Sequence, residues 1–272
     1  MKNVIVTASF DDLRSRHVRL LEEAAQRGEV NALIWPDERV KALTGRPPKF
    51  PANERLYLVQ ALRFVHSAHI APGPPDPHAI PDIADRHPHV WVVPEEEATE
   101  EKKKFCARTG IGLQVIPAAA LRQIPPAPPL RIRGSKHHRV IVTGCYDWLH
   151  SGHIRFFEEA AAWGDLFVDI GSDANIRLLK GKNHPLFPQG ERLYMVRAVR
   201  HVCQAFIGSG YGWMDAAPEM NRIKPSIYLV NEDGDRPEKR AYCEEMKIEY
   251  VVLQRLPKDG LPSRESTGLR GF

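Results

Sequence analysis

Two histidines three positions apart, His150 and His153, flank Gly152 in the stretch YDWLHSGH at residues 146–153, close behind the apolar run VIVTG. A helix starting at Ser151–Gly152 would hold both rings at its first turn, where unpaired N–H groups and the positive end of the helix dipole attract anions. Histidines at i and i+3 project from one side of such a turn. There they can donate hydrogen bonds to phosphoryl oxygens as charge builds on them, and Gly152 leaves room for a phosphate to approach the backbone. The same residues also suit a plain capping turn with two surface histidines. They make a poor zinc set, because no cysteine or second ligand class shares the turn. Asp147 more naturally pins the turn by accepting backbone N–H groups.

A second stretch, SFDDLRSRH at residues 9–17, repeats the pattern with Arg14 and Arg16 in the places of His150 and Gly152. The repeat extends well beyond it. Residues 4–28 align without gaps on 140–164, with fourteen of twenty-five positions identical, and residues 50–65 match 187–202 after a one-residue slip. PHVWVVPEEE at 88–97 lines up with PSIYLVNEDG at 225–234, and Cys106 with Cys243. So long a period is no solenoid; it reads as tandem duplication of a whole domain.

Each copy starts with a β-branched apolar run (VIVT), then a turn, an amphipathic helix and another apolar run. In the second copy, helix-period segments are expected at 189–201 and 215–223, strands at 226–230 and 249–253, and a charged helix at 236–246. Strands alternating with helices imply an α/β fold: two tandem Rossmann-like, doubly wound parallel-sheet domains. In such sheets ligands bind beyond the carboxyl ends of the strands, and YDWLHSGH leaves the first strand of its copy at that edge. The expected organisation is a first domain at 1–115, a proline-rich linker at 116–138 that prolines keep extended rather than helical, and a second domain at 139–272. APGPPDPHAIP at 71–81 is expected to be a loop.

The chain has 272 residues with a net charge of +4, its basic residues spread among acidic ones. That argues against nucleic acid as a partner. No apolar run approaches the ~18–20 residues that span a bilayer, and MKNVIVTASFDD carries no secretory-leader pattern. The four cysteines form no CxxC pair, so neither zinc nor a disulfide framework is indicated, and a reduced, cytoplasmic protein is expected.

The order strand, G-x-x-D-x-x-H-x-G-H, helix resembles the signature of the cytidylyltransferase-like nucleotidyltransferases, with Gly144, Asp147, His150, Gly152 and His153 on signature positions. The resemblance continues through GDLFVDIGSD (164–173), LLKGK (178–182), GERLYMVRAVRHV (190–202) and RESTGLR (264–270), and so covers essentially residues 138–272. It implies attack of a phosphorylated small molecule, a sugar or polyol phosphate, on the α-phosphate of CTP or ATP, with release of pyrophosphate. Implied catalytic residues are His150, His153 and Lys180, with Lys182 an alternative to the last. Implied nucleotide-binding residues are Gly144, Tyr146, Asp147, Gly152, Arg192, Ser266, Thr267 and Arg270. Arg192 is a candidate phosphate clamp because a guanidinium grips phosphate in a fork, although Arg55 in the first copy marks it equally as a structural helix-start arginine. Mg2+ is expected with the triphosphate, and no protein metal site is implied.

The strand-four motif departs from the relatives' pattern, reading VNEDGD at 230–235. The chain stops at Phe272 with almost no terminal helix, and the Ser-Thr turn reads equally as a polar tail. In the first copy Ala8, Arg14 and Arg16 replace Gly144, His150 and Gly152, and Thr44 stands at the lysine position. That copy is expected not to catalyse, with binding of a different anion by Arg14, Arg16 and His17 as the other reading. Single-domain members of the family it resembles commonly pair as homodimers, so the two copies are expected to form a pseudo-dimer within the chain, a homodimer being the alternative. A catalytically silent, nucleotide-binding regulator is the competing function, against which the intact HSGH and STGLR stretches argue. A tRNA-charging enzyme is a remote third.

Overall fold

A computed structural model describes residues 2–72, 76, 78–81, 87–132, 136–266 and 268–271. The chain divides into two compact units, Met1–Ile124 and Pro125–Phe272. The first contains β1 (Asn3–Ala8), α1 (Ser15–Ala25), β2 (Glu29–Ile34), α2 (Asp37–Thr44), α3 (Ala52–Gln60), β3 (Ser67–Ile70), β4 (Val90–Pro94), α4 (Glu100–Thr109), β5 (Gly112–Ile116) and α5 (Ala118–Arg122). The second contains β6 (Arg139–Gly144), α6 (Ser151–Ala161), β7 (Asp165–Ile170), α7 (Asp173–Lys180), α8 (Gln189–Arg197), β8 (Gln204–Ile207), α9 (Ala217–Ile223), β9 (Ile227–Asn231), α10 (Pro237–Met246) and β10 (Glu249–Leu253).

Both sheets are parallel and share one strand order, β3-β2-β1-β4-β5 and β8-β7-β6-β9-β10. The central strands read as unbroken apolar runs because helices cover both faces. Val140, Ile141 and Val142 are fully buried, as are Val4 and Val6 in the first unit. The connections from β6 to β7 to β8 run one way across the sheet, and those from β8 to β9 to β10 run the other way. Right-handed crossovers therefore set α6, α7 and α8 on one face and α9 and α10 on the opposite one. The second face buries Ile141, Phe167 and Tyr228 against Met220 and Ile223 of α9 and Cys243 of α10.

Two details of the backbone recur in both units. Gly28 and Gly164, with φ +156° and +155°, close the turn between the first helix and the second strand, where an added Cβ would sit 2.1–2.2 Å from the carbonyl oxygen of Lys2 or His138. Only glycine fits there. The central strand pairs with its first-wound neighbour along its whole length but with the other neighbour at two positions only, Val140↔Ile227 and Ile141↔Tyr228 in the second unit. Past Ile141 the two strands part, and a crevice opens at the carboxyl edge where the winding reverses.

The stretch at 116–138 differs from the extended linker expected of it. β5 runs to Ile116, and Ala118–Arg122 form a helix that buries Leu121 and packs on α1. Three alanines and a leucine outweigh the flanking prolines, which stand outside the helical turns. After the division at Ile124, Leu130 packs against the second unit's core and the Arg131 N–H donates to Gln204 Oε1 at 2.8 Å, so this segment is held by the second unit. The other expected elements of the second unit fall within a few residues of their places, although 189–201 is helical only to Arg197 and the segment at 215–223 only from Ala217. Among the described residues of 71–81 there is neither helix nor strand.

Candidate functional site

The crevice beside β6 holds a cavity of about 510 Å3, a size typical of small-ligand sites. α6 starts at its rim. His150 is the N-cap residue, in extended conformation, and its Nδ1 accepts the Gly152 N–H at 3.2 Å. An accepting Nδ1 leaves the proton on Nε2, so this nitrogen is a donor. The His153 ring stacks on that of His150 at 3.9 Å between centroids, and a hydrogen bond to the Trp148 backbone holds it. Nε2 of His150 and Nδ1 of His153 are both buried without a hydrogen-bond partner. Burial, then Arg255 and Arg264, pulls the His150 pKa down to about 3. Burial, then His150 and Arg255, drives that of His153 well below its ordinary value. Both rings are neutral at pH 7, and an anion beside them would reverse that pull.

Tyr146 shapes the floor beneath the histidines. Its φ of +51° turns the ring back under Gly144, where a Cβ would lie 2.7 Å from it, and against His153 and Phe157. The glycine at 144 is therefore demanded by tyrosine packing. The Tyr146 hydroxyl is buried and unpartnered, with its pKa raised by burial. Gly152 has an equally local reason: a Cβ there would meet the His150 ring at 3.1 Å.

Lys180, the last residue of α7, lines the cavity and Lys182 does not, which separates the two candidates. Ser266 lines it too, its hydroxyl donating to the Trp148 carbonyl at 3.4 Å. Thr267 lies outside the described residues, as does the Arg270 side chain; the backbone of Arg270 belongs to the short 3-10 turn Gly268–Gly271, anchored by the buried Leu269.

Two expected nucleotide contacts turn out to be structural. Arg192 is 1% exposed and absent from the cavity wall. Its guanidinium donates to the carbonyls of Phe187 (3.0 Å), Cys145 (2.6 Å) and Gly171 (2.9 Å) and to Asp173 Oδ1 (2.7 Å), so the fork is already filled. Arg55 does the same in the first unit, donating to Phe50, Ser9, Trp35 and Asp37. Asp147 borders the cavity, yet its carboxylate is occupied by the N–H groups of Leu186 and Phe187 at 2.7–2.8 Å, as Asp11 is by those of Lys49 and Phe50. It ties the loop after α7 to the turn before α6.

The far wall comes from residues that the motif reading passed over: Trp213, Asp215, Asp233, Arg236, Lys239 and Arg255. Arg236 lies over the Trp213 ring at 4.7 Å, and Arg255 bonds Asp233 and the Arg264 carbonyl at the mouth. Beneath this wall Asp169 is fully buried with neither carboxylate oxygen hydrogen-bonded, and burial with Asp215 and Glu219 nearby pushes its pKa well up. Among the described residues no group of three or more His, Cys, Asp or Glu is arranged to hold a metal ion. The four cysteines are free thiols, and no helix is long and apolar enough to cross a membrane.

At the equivalent place in the first unit, charged side chains pair with one another. Arg14 pairs with Asp12 at 2.8 Å, Lys49 also reaches Asp12, and Arg16 crosses to Glu96. His17 keeps its place, its Nδ1 accepting the Arg14 N–H at 3.0 Å, and burial with Arg16 nearby pulls its pKa down to about 4.

The second unit thus combines a parallel sheet, a crevice at the reversal of winding and two neutral imidazoles at a helix start. The sequence model of the Cytidylyltransferase-like family matches residues 141–254, within this unit. FAD synthase of Methanosarcina mazei is 34% identical over 128 residues, covering 46% of this chain and 73% of that protein. FAD synthase of Methanocella paludicola is 33% identical over 135 residues, covering 48% and 93% respectively. The bifunctional protein HldE of Geobacter sulfurreducens is 46% identical over 63 residues, which is 22% of this chain and 13% of that protein. The chain belongs to the cytidylyltransferase-like nucleotidyltransferases.

Proposed function

We propose that the second unit transfers CMP or AMP from the nucleoside triphosphate to a small phosphorylated acceptor such as a sugar or polyol phosphate. The observation that carries this reading is the pair of buried, unpartnered imidazole nitrogens at the start of α6, facing the cavity. An oxygen of the acceptor phosphate attacks the α-phosphorus; a new P–O–P linkage forms as the bond to the β-phosphate oxygen breaks, and pyrophosphate leaves. The nucleophile is already an anion, so positioning and charge stabilisation supply the rate. His150 donates from Nε2 to an α- or β-phosphate oxygen. His153, once the triphosphate draws a proton onto Nδ1, donates beside it. Lys180, exposed at the rim, closes on the phosphates, and Ser266 with Thr267 and Arg270 holds the terminal ones. Mg2+ enters as part of the substrate, on triphosphate oxygens. The FAD synthases among the relatives favour AMP over CMP and put flavin mononucleotide among the acceptors to assay. The first unit does not catalyse, because ion pairs stand where the triphosphate would lie.

Pyrophosphate release from ATP and CTP across a panel of phosphorylated acceptors tests the reading. Turnover is expected with one nucleotide–acceptor pair and is expected to vanish in His153→Ala. Persistent turnover in that variant refutes the role of the histidine pair.

A further inference from the structure

The connection from β9 to α10 invites comparison with its counterpart in the first unit. There Lys102 is buried, lies 5.1 Å over the Trp91 ring, and pairs with Glu97 at 3.1 Å. Lys239 holds the same position in the second unit, buried and 5.5 Å over Tyr228, but Gly234 stands where Glu97 would be. Its ammonium touches two neutral oxygens, Gly234 O at 3.1 Å and Thr143 Oγ1 at 3.4 Å. Among the described residues no carboxylate lies within ion-pair distance of it. A buried ammonium facing a cavity without a direct counter-ion is costly unless something anionic enters. Burial lowers the Lys239 pKa, and Asp215 is foremost among the nearby carboxylates that oppose this.

The position of Lys239 says which anion. α10 covers the sheet face opposite α6, so the lysine and the histidine pair approach the crevice from opposite sides. Displacement at the α-phosphorus requires the attacking and departing oxygens to be in line, on opposite sides of that atom. We propose that Lys239 anchors the attacking phosphate of the acceptor, a phosphomonoester dianion, opposite the histidines that hold the triphosphate. This rests on the function proposed above.

The test uses the full chain saturated with the α,β-methylene analogue of ATP or CTP, titrated calorimetrically with inorganic phosphate. The unsubstituted protein should bind phosphate. Lys239→Gln should weaken it by about tenfold or more, the loss of one charge-assisted contact, while analogue affinity stays within about threefold. Gly234→Glu supplies the second arm. An added Cβ there meets nothing closer than Val230 Cβ at 3.8 Å, so the chain accepts it, and the carboxylate should neutralise Lys239 as Glu97 does Lys102. Phosphate binding should fall in that variant as well. Absent binding to the unsubstituted protein, unchanged binding in both variants, or loss of analogue affinity with phosphate unaffected would each overturn the proposal. If neither analogue binds the unsubstituted chain, the nucleotidyl-transfer reading fails and the attacking role falls with it; phosphate binding that still depends on Lys239 then upholds only the anion site.

Discussion

Arg192→Ala is the substitution that most sharply separates scaffold from site. The side chain is buried and gives hydrogen bonds to three carbonyls and to Asp173. Removing it orphans those acceptors and leaves Asp173 without its partner. Breaking a buried, charge-assisted network of this kind costs about 3–5 kcal/mol. With a urea m-value of roughly 2 kcal/mol/M, the unfolding midpoint of the second unit should fall by roughly 1.5–2.5 M. Arg55→Ala supplies the control, because Arg55 makes the equivalent bonds in a unit that lacks the HSGH stretch. Its cost should be similar and confined to the first unit. Urea titrations followed by tryptophan fluorescence and by amide exchange would assign each loss to its unit. An Arg192→Ala protein that unfolds normally but loses nucleotide affinity would refute the structural assignment and restore the arginine as a phosphate clamp.

Two further outcomes follow from the buried imidazoles and the glycine beside them. His150 and His17 have folded pKa values of about 3 and about 4, so between there and the ordinary value of about 6.5 the unfolded chain binds more protons than the folded one. Stability should therefore fall as pH drops below about 6.5, by about 2 kcal/mol for each histidine near pH 5, read as a shift in urea midpoint; a flat profile would contradict their burial. Gly152→Arg should import the first unit's closure: an arginine there crowds His150 and can reach Asp233 as Arg16 reaches Glu96, and nucleotide binding measured by calorimetry should weaken by about tenfold or more. Unchanged affinity would show that this place is not on the triphosphate path.

The fold was legible because its evidence is local and doubled. VIVT, the amphipathic helix after it and the glycines at 28 and 164 occur twice, and each copy reads alone as strand, helix and strand. The start of α6 was legible too, since a cap and its first turn span only a few residues. Arg192 and Asp147 were harder. Their types suit phosphate or turn chemistry equally, and only the carbonyls and N–H groups brought to them from distant segments decide which. The appearance of Arg55 and Asp11 in a copy without the HSGH pattern was the available signal. Lys239 and Asp169 carry no motif; Lys239 stands out because its counterpart Lys102 has a carboxylate partner, and Asp169 because it is a buried carboxyl where the other copy has Leu33. The helix at 118–122 was hidden by prolines on either side of it.

The Arg16–Glu96 and Lys102–Glu97 pairs have a consequence for how the two units hold themselves together. Each supplies, from the chain itself, a charge that the open crevice lacks. In the first unit these charges are paired within the chain. In the second, the Lys239 ammonium meets neutral oxygens, and Nε2 of His150 and Nδ1 of His153 have no hydrogen-bond partner. An anion bound among them would therefore stabilise the second unit by mass action.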